Sequence, residues 1–327
     1  GVITVYFLGK SIFNPRVGFL SGLILATSLQ YIIQSRLALL DVPLSFFISL
    51  SVLFFYLGYT IPNKRWCYLL SYVSMALATL TKGPIGVLLP ILIIGLYLLL
   101  TKEFGELKNM MLFRGIIIYL AIASPWYIIE LIRHGDTFIN NFFLQRTVAR
   151  FLTPFEGHTG PFYYFIPVLF LGFFPWSSFL PYSFIHLISL GEWEAKASPT
   201  QRDENSLVGR GNFSRPIIYK FLHLKKGWKS EEGKKSLLIL LWFAVIFVFF
   251  SSAKSKLPGY IFPLYPSVAL AVGKLWDNFL SPQGQHHRKG IVASFTLFFA
   301  LLIILLLVIM LIAKPLFPVE YGLFGRD

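Results

Sequence analysis

Apolar residues fill this chain in long unbroken blocks, with no strand-like alternation of useful length and no repeat of the soluble type. A helix that crosses the hydrocarbon of a bilayer needs about 20 such residues. The blocks place candidate membrane helices at 17–33, 42–60, 68–81, 85–101, 113–133, 162–190, 236–252, 257–276 and 291–312, after an apolar tail at 2–9. The prediction is an all-α integral membrane protein, a polytopic transmembrane helix bundle with about nine or ten membrane helices along this stretch. The chain opens without Met inside the run Val2–Gly9, so a fragment is expected: one transmembrane domain over 1–327, truncated at its N-terminus.

Composition narrows the classes. Of 327 residues, 56% are hydrophobic and 13% charged, about half the charge that coats a soluble domain. The net charge of +14 would suggest nucleic acid in a soluble chain. Here the positive residues sit in short links between apolar blocks, where they set membrane orientation instead, so no nucleic-acid partner is expected. Counting alternate links puts twenty of the 29 Lys and Arg on one face and nine on the other. By that bias, segment 191–235, the one stretch of soluble composition, is a basic cytoplasmic loop apposed to membrane lipids. Segment 134–161 is then an external loop. The lone Cys67 excludes an intramolecular disulfide or a thiolate metal site.

The chemistry concentrates at the external ends of the blocks. Thr81-Lys82-Gly83-Pro84 follows a run of 14 apolar residues, roughly 21 Å of helix, so Lys82 ends in a recess. Pro84 suits the first turn of the next helix, whose free N–H groups point back at the lysine. A phosphate site and a snorkelling lysine both fit that pattern. Ser255-Lys256-Leu257-Pro258 repeats the design beside Lys254, with Pro263 and Pro266 expected to interrupt the helix, and two such turns on one face suggest one polar pocket. Asp41, the first acidic residue of the chain, is a base, a cation ligand, the orienting partner of a lysine or the cap of the helix opening at Val42-Pro43, and with Arg36 it brackets a turn. In 134–161, Arg146 and Arg150 share a helical face suited to an anion. Glu156 and His158 are candidates for proton transfer, but two ligands are too few to assign a metal. Glu130 pairs on paper with Arg133, a kink is expected at Pro125, and Gly18, Gly22 and Ala26 form a close-packing stripe.

These stretches together resemble the membrane-embedded C-type (GT-C) glycosyltransferases that use polyprenyl-phosphate sugars, in particular the lipid A aminoarabinose transferases and the protein O-mannosyltransferases. The matching residues are Arg36-Leu37-Ala38-Leu39-Leu40-Asp41-Val42-Pro43, Leu80-Thr81-Lys82-Gly83-Pro84 and Ser124-Pro125-Trp126-Tyr127. Arg150-Phe151, His158, Pro161-Phe162-Tyr163-Tyr164 and Pro175-Trp176 follow, and Lys254-Ser255-Lys256-Leu257-Pro258-Gly259-Tyr260-Ile261-Phe262-Pro263 completes the series in the family's order. The resemblance implies inverting transfer from a polyprenyl-phosphate sugar to an extracytoplasmic lipid, glycan or protein, in a bacterial plasma membrane. It implies a catalytic role for Asp41 and Lys82, with Lys82, Arg150, Lys254 and Lys256 on the donor phosphate. Arg36, Arg146, Glu156, His158, Tyr163 and Tyr164 would line the substrate pocket. No cofactor is assigned, and a divalent cation is left open. The family also carries acidic residues in a first external loop that has no counterpart here. Two other readings compete: a transporter or flippase for a lipid-linked anion, and a catalytically inactive membrane scaffold.

Overall fold

The computed structural model describes residues 1–140, 160–197, 230–281 and 288–313, and in these residues there are helices and no strand. The α-helices are α1 (Val2–Ile12), α2 (Pro15–Ala26), α3 (Leu29–Arg36), α4 (Asp41–Thr60), α5 (Cys67–Lys82), α6 (Ile85–Thr101) and α7 (Glu106–Asn109). They continue as α8 (Leu112–Phe138), α9 (Phe165–Gly172), α10 (Leu180–Ala197), α11 (Glu231–Ser252), α12 (Tyr265–Leu280) and α13 (Arg288–Ala313). The protein is thus the all-α membrane bundle that its apolar blocks predict. Among the described residues, three helices (α4, α8 and α11) are long and apolar enough to cross a membrane, or up to five spans if two bent pairs each count as one. That is fewer than the expected nine or ten. Some apolar blocks are shorter helices, such as α1 and α6, and two are broken in mid-block.

The breaks explain each other. Block 17–33 turns by 64° between α2 and α3, and block 162–190 turns by 120° after Gly172. Composition cannot show this, because Pro175 and its aromatic neighbours read as apolar as the flanks. Both breaks free backbone groups at membrane depth, where each needs a partner in the protein. They find one another: Leu29 N donates to Phe174 O at 3.0 Å, and Trp176 Nε1 to Thr27 Oγ1 at 2.8 Å.

Elsewhere the small residues decide. A Cβ on Gly9 would sit 2.7 Å from Gly18 Cα, so the Gly18 stripe does bring α1 and α2 into backbone contact. The break in α8 lies at Gly135, with φ 49°, rather than at Pro125. Glu130 pairs with His134 at 3.0 Å, one turn on, and not with Arg133. Between Lys256 and α12 the chain forms a 3-10 helix, Pro258–Leu264, referred to below as the strap. Pro263 lies within it, whereas Pro266 opens α12 instead of interrupting it. Segment 191–235 is helical at both edges, in α10 to Ala197 and in α11 from Glu231; 198–229 lie outside the described residues.

The charged residues segregate to two ends of the bundle. At the end where α4 finishes and α5 begins, Lys234 bridges Glu103 at 2.8 Å and Glu231 at 3.1 Å. Tyr68 donates to Glu106 at 2.6 Å, and Asn14 to Asp277 at 2.9 Å. Such pairs stabilise by little each, about 0–1 kcal/mol, but they tie α2, α6, α11 and α12 together on that side. The opposite end, where α4 begins and α5 finishes, holds the candidate site.

Candidate functional site

Lys82 is the last residue of α5, and Asp41 is the first of α4. The antiparallel packing of these helices brings the two together, and Lys82 Nζ donates to Asp41 Oδ1. Both side chains are largely covered, at 26% and 14% exposure. Asp41 caps nothing: Leu40 is the N-cap of α4, without a side-chain bond. Of the readings open for Asp41, the structure shows the contact of a lysine partner. The turn that holds Lys82 in place depends on Gly83, whose φ of 81° and ψ of −160° lie in a region open essentially to glycine alone. Gly83→Ala is expected to destabilise the folded protein by about 1–3 kcal/mol, measured by thermal unfolding in detergent. Pro84 is the N-cap of α6. The first amides of that helix are less free than expected, because Gly86 N bonds Gly83 O at 3.0 Å and Val87 N bonds Pro84 O at 3.2 Å. The lysine, and not the helix end, carries the positive charge of the site.

The strap closes the other side. The Tyr260 ring centroid lies 5.1 Å from Lys82 Nζ, a cation–π contact. Gly259 faces Asp41 so closely that a Cβ there would lie 2.6 Å from Oδ2 and 3.5 Å from Gln34 Nε2. Gln34 is buried, and its Oε1 has no hydrogen-bond partner among the described residues. Gly259→Ala is therefore expected to push Asp41 off Lys82. Its measurable sign is faster modification of the Lys82 amine by an acylating reagent, read by peptide mass spectrometry.

The second lysine turn is built differently from the first. Lys256 is 3% exposed, and its ammonium donates to Phe250 O at 3.2 Å and to Ser251 O, closing the C-terminal end of α11. This satisfies carbonyls that a helix end leaves bare and places a cation at the negative end of its dipole. Burial pushes the Lys256 ammonium below the usual lysine pKa. Lys254, by contrast, is exposed. An open pocket of ≈ 330 Å³ lies here, lined by Gly160, Phe162 and residues 251–254 and 256. The two turns meet through aromatic rings, since Tyr260 packs on Phe250 at 5.4 Å. A pocket of ≈ 540 Å³ at the far end is lined by Glu103, Glu106 and Glu231, carboxylates that would repel an anion.

Of the remaining candidates, Arg36 is exposed at the end of α3 and Tyr163 is exposed in a 3-10 turn. Tyr164 packs on Phe165 and lies beside Gly160, which itself sits against the Lys256 stem. Arg146, Arg150, Glu156 and His158 lie outside the described residues. Among the described residues, no three of His, Cys, Asp and Glu come together as a metal site would require. Reasoning from sequence did not single out Gly259, Tyr260, Gln30 or Gln34. Two amides one turn apart, at the end of block 17–33 and just past it, were the signal available for the last pair.

The chain can now be set beside known proteins. Residues 1–129 match the family described as dolichyl-phosphate-mannose-protein mannosyltransferase. A protein of Aquifex aeolicus is 28% identical over 297 residues, covering 90% of this chain and 49% of that protein. The undecaprenyl phosphate-alpha-4-amino-4-deoxy-L-arabinose arabinosyl transferase of Wigglesworthia glossinidia brevipalpis is 28% identical over 277 residues, covering 83% of this chain and 42% of the transferase. In fold, the chain superimposes on ArnT from Cupriavidus metallidurans bound to undecaprenyl phosphate with a TM-score of 0.67. The identity is 24%, covering 89% of this chain and 46% of that one. The apo form of ArnT gives the same TM-score. The chain therefore spans about half the length of the relatives it matches or less. Its fold is that of the membrane-embedded C-type glycosyltransferases, the group that its motifs resemble.

Proposed function

We propose that this chain is the membrane-embedded catalytic part of a glycosyltransferase that moves a sugar from a polyprenyl phosphate to an acceptor outside the cytoplasm. The observation that carries the reading is the Asp41–Lys82–Tyr260 cluster, a cation held at a recessed helix end in a fold shared with a protein that binds undecaprenyl phosphate. The relatives named as arabinosyl transferases favour a lipid-linked aminoarabinose as donor, and the family resemblance of the motifs favours lipid A as acceptor and the bacterial inner membrane as location.

In the reaction, an acceptor oxygen bonds to the anomeric carbon from the face opposite the phosphate. The carbon–oxygen bond to the phosphate breaks, and its electron pair leaves on the phosphate, so the configuration inverts. Lys82 stabilises that developing charge, the kind of contribution that is usually the largest in catalysis. Lys254, which is exposed, and Arg150 are the further cations assigned to the phosphate. Lys256 acts indirectly, by completing the end of α11. Arg36, Arg146, Glu156, His158, Tyr163 and Tyr164 are assigned to the sugar and acceptor. Asp41 orients Lys82, since one of its oxygens is engaged by the ammonium and the other is covered by Gly259. The acceptor proton passes to a different carboxylate, which the family resemblance places in the first external loop.

The test is transfer by the purified complete protein from an undecaprenyl-phosphate sugar, with the product anomer read by NMR. Inverted product supports the reading. Passage of the intact lipid-linked donor across vesicles, with no glycosidic product, replaces it with transport.

A further inference from the structure

Gln30 takes no part in the scheme above, yet it is 9% exposed in an apolar block. An aliphatic side chain would fill that space without the cost of burying an amide, so the amide calls for an explanation. Its bonds supply one. Gln30 Nε2 donates to Pro258 O at 3.0 Å, and the hydroxyl of fully buried Tyr265 donates to Gln30 Oε1. The Pro258 carbonyl can only accept, so it fixes the amide with its donor toward the first residue of the strap, and the Tyr265 hydroxyl holds the acceptor end in place. A Cβ on Gly172 would run into both Gln30 Oε1 and the Tyr265 hydroxyl, so the bonded pair sits where only glycine leaves room. On the next residue of α3, the Tyr31 ring stacks on Phe262 at 5.4 Å and 13°. The strap is thus seated on α3 from its first residue onward, and the two residues after Pro258 are Gly259, against Asp41, and Tyr260, over Lys82.

We propose that Gln30, held by Tyr265, is a positioning residue that seats the strap and so holds the Asp41–Lys82 pair in its working geometry. Its catalytic consequence rests on the proposed role of Lys82; the seating does not. Three variants of the complete protein separate the possibilities: Gln30→Leu, Tyr265→Phe and the two combined. Gln30→Leu leaves the Tyr265 hydroxyl unpaired and takes the side-chain donor from Pro258 O, whereas the double variant removes the hydroxyl as well and recovers much of the lost stability. It does not restore the bond to Pro258 O. The expected result is that Lys82 is acylated about tenfold faster in Gln30→Leu and in the double variant, while kcat falls about ten- to a hundredfold with donor KM within about threefold. Recovery of kcat along with melting temperature in the double variant would show a merely structural residue and overturn the proposal. An unchanged rate of Lys82 acylation overturns it as well, and needs no substrate. So does faster acylation with undiminished transfer. If the unmodified protein transfers no sugar but the acylation change is found, the seating stands and the glycosyltransferase reading falls.

Discussion

Replacing Lys82 by alanine in the complete protein is expected to lower transfer by about a hundred- to a thousandfold, the usual loss when one preorganised group stabilising a transition-state charge is removed. The effect should fall on kcat more than on donor KM, because the phosphate bears more charge as the bond breaks than in the ground state. The fold should survive, since Lys82 ends a helix and its aliphatic stem is replaceable. What is lost in the folded state is one ion pair and one cation–π contact. Lys82→Arg keeps the charge on a planar, longer head that does not fit the same gap between Asp41 and Tyr260, and should recover only part of the rate. Transfer within about threefold of the unmodified protein in Lys82→Ala, with normal insertion into membranes, would remove Lys82 from the mechanism.

Asp41→Asn is the second large expectation, and it separates two roles for one carboxylate. The substitution preserves shape and leaves the Lys82 ammonium without its counter-charge in a setting that is only 26% exposed. Removing one partner of a fully buried pair costs about 3–5 kcal/mol; discounted for the solvent that reaches this one, about 1–3 kcal/mol of stability is expected to go. If Asp41 orients Lys82, kcat falls about ten- to a hundredfold and acylation of Lys82 quickens together with it. If Asp41 is instead the general base, acylation of Lys82 quickens likewise, because the ion pair is lost in either case, but the rate falls by as much as about ten-thousandfold. The size of the fall in kcat decides between them.

Much of this fold is legible in the sequence where a helix is bounded by chemistry. The block 68–81 becomes α5, Cys67–Lys82, because apolar length starts it and Gly83-Pro84 ends it. The block 162–190 gave no such warning. Its turn of 120° follows from Pro175 and from a docking partner far off along the chain, since Leu29 N finds Phe174 O. The site divides in the same way. Lys82 was evident because a cation at the end of a short apolar run stands out. Its partner was one of several options for Asp41, as a pairing across 41 residues depends on how α4 packs on α5. Lys256 looked like a twin of Lys82 by spacing. Its ammonium turns onto the carbonyls of Phe250 and Ser251, a choice made by the bare end of α11 and invisible in the local pattern. Gln30, inside an apolar run, and Gln34, just past its end, drew no notice, because a buried amide declares its purpose only when its partners are known.

The joint between the two broken spans has a consequence of its own. At Leu29 and Phe174 the connection is made by main-chain atoms, which every residue except proline supplies in donor and acceptor alike. Apart from Thr27 and Trp176, whose side chains also bond across the joint, substitutions along these half-helices can therefore accumulate without loosening it. Side chains facing the pocket are free to drift toward a different sugar or a different acceptor while the frame beneath them stays in register. A descendant with new specificity would need no new architecture, only new residues on an old hinge-free elbow.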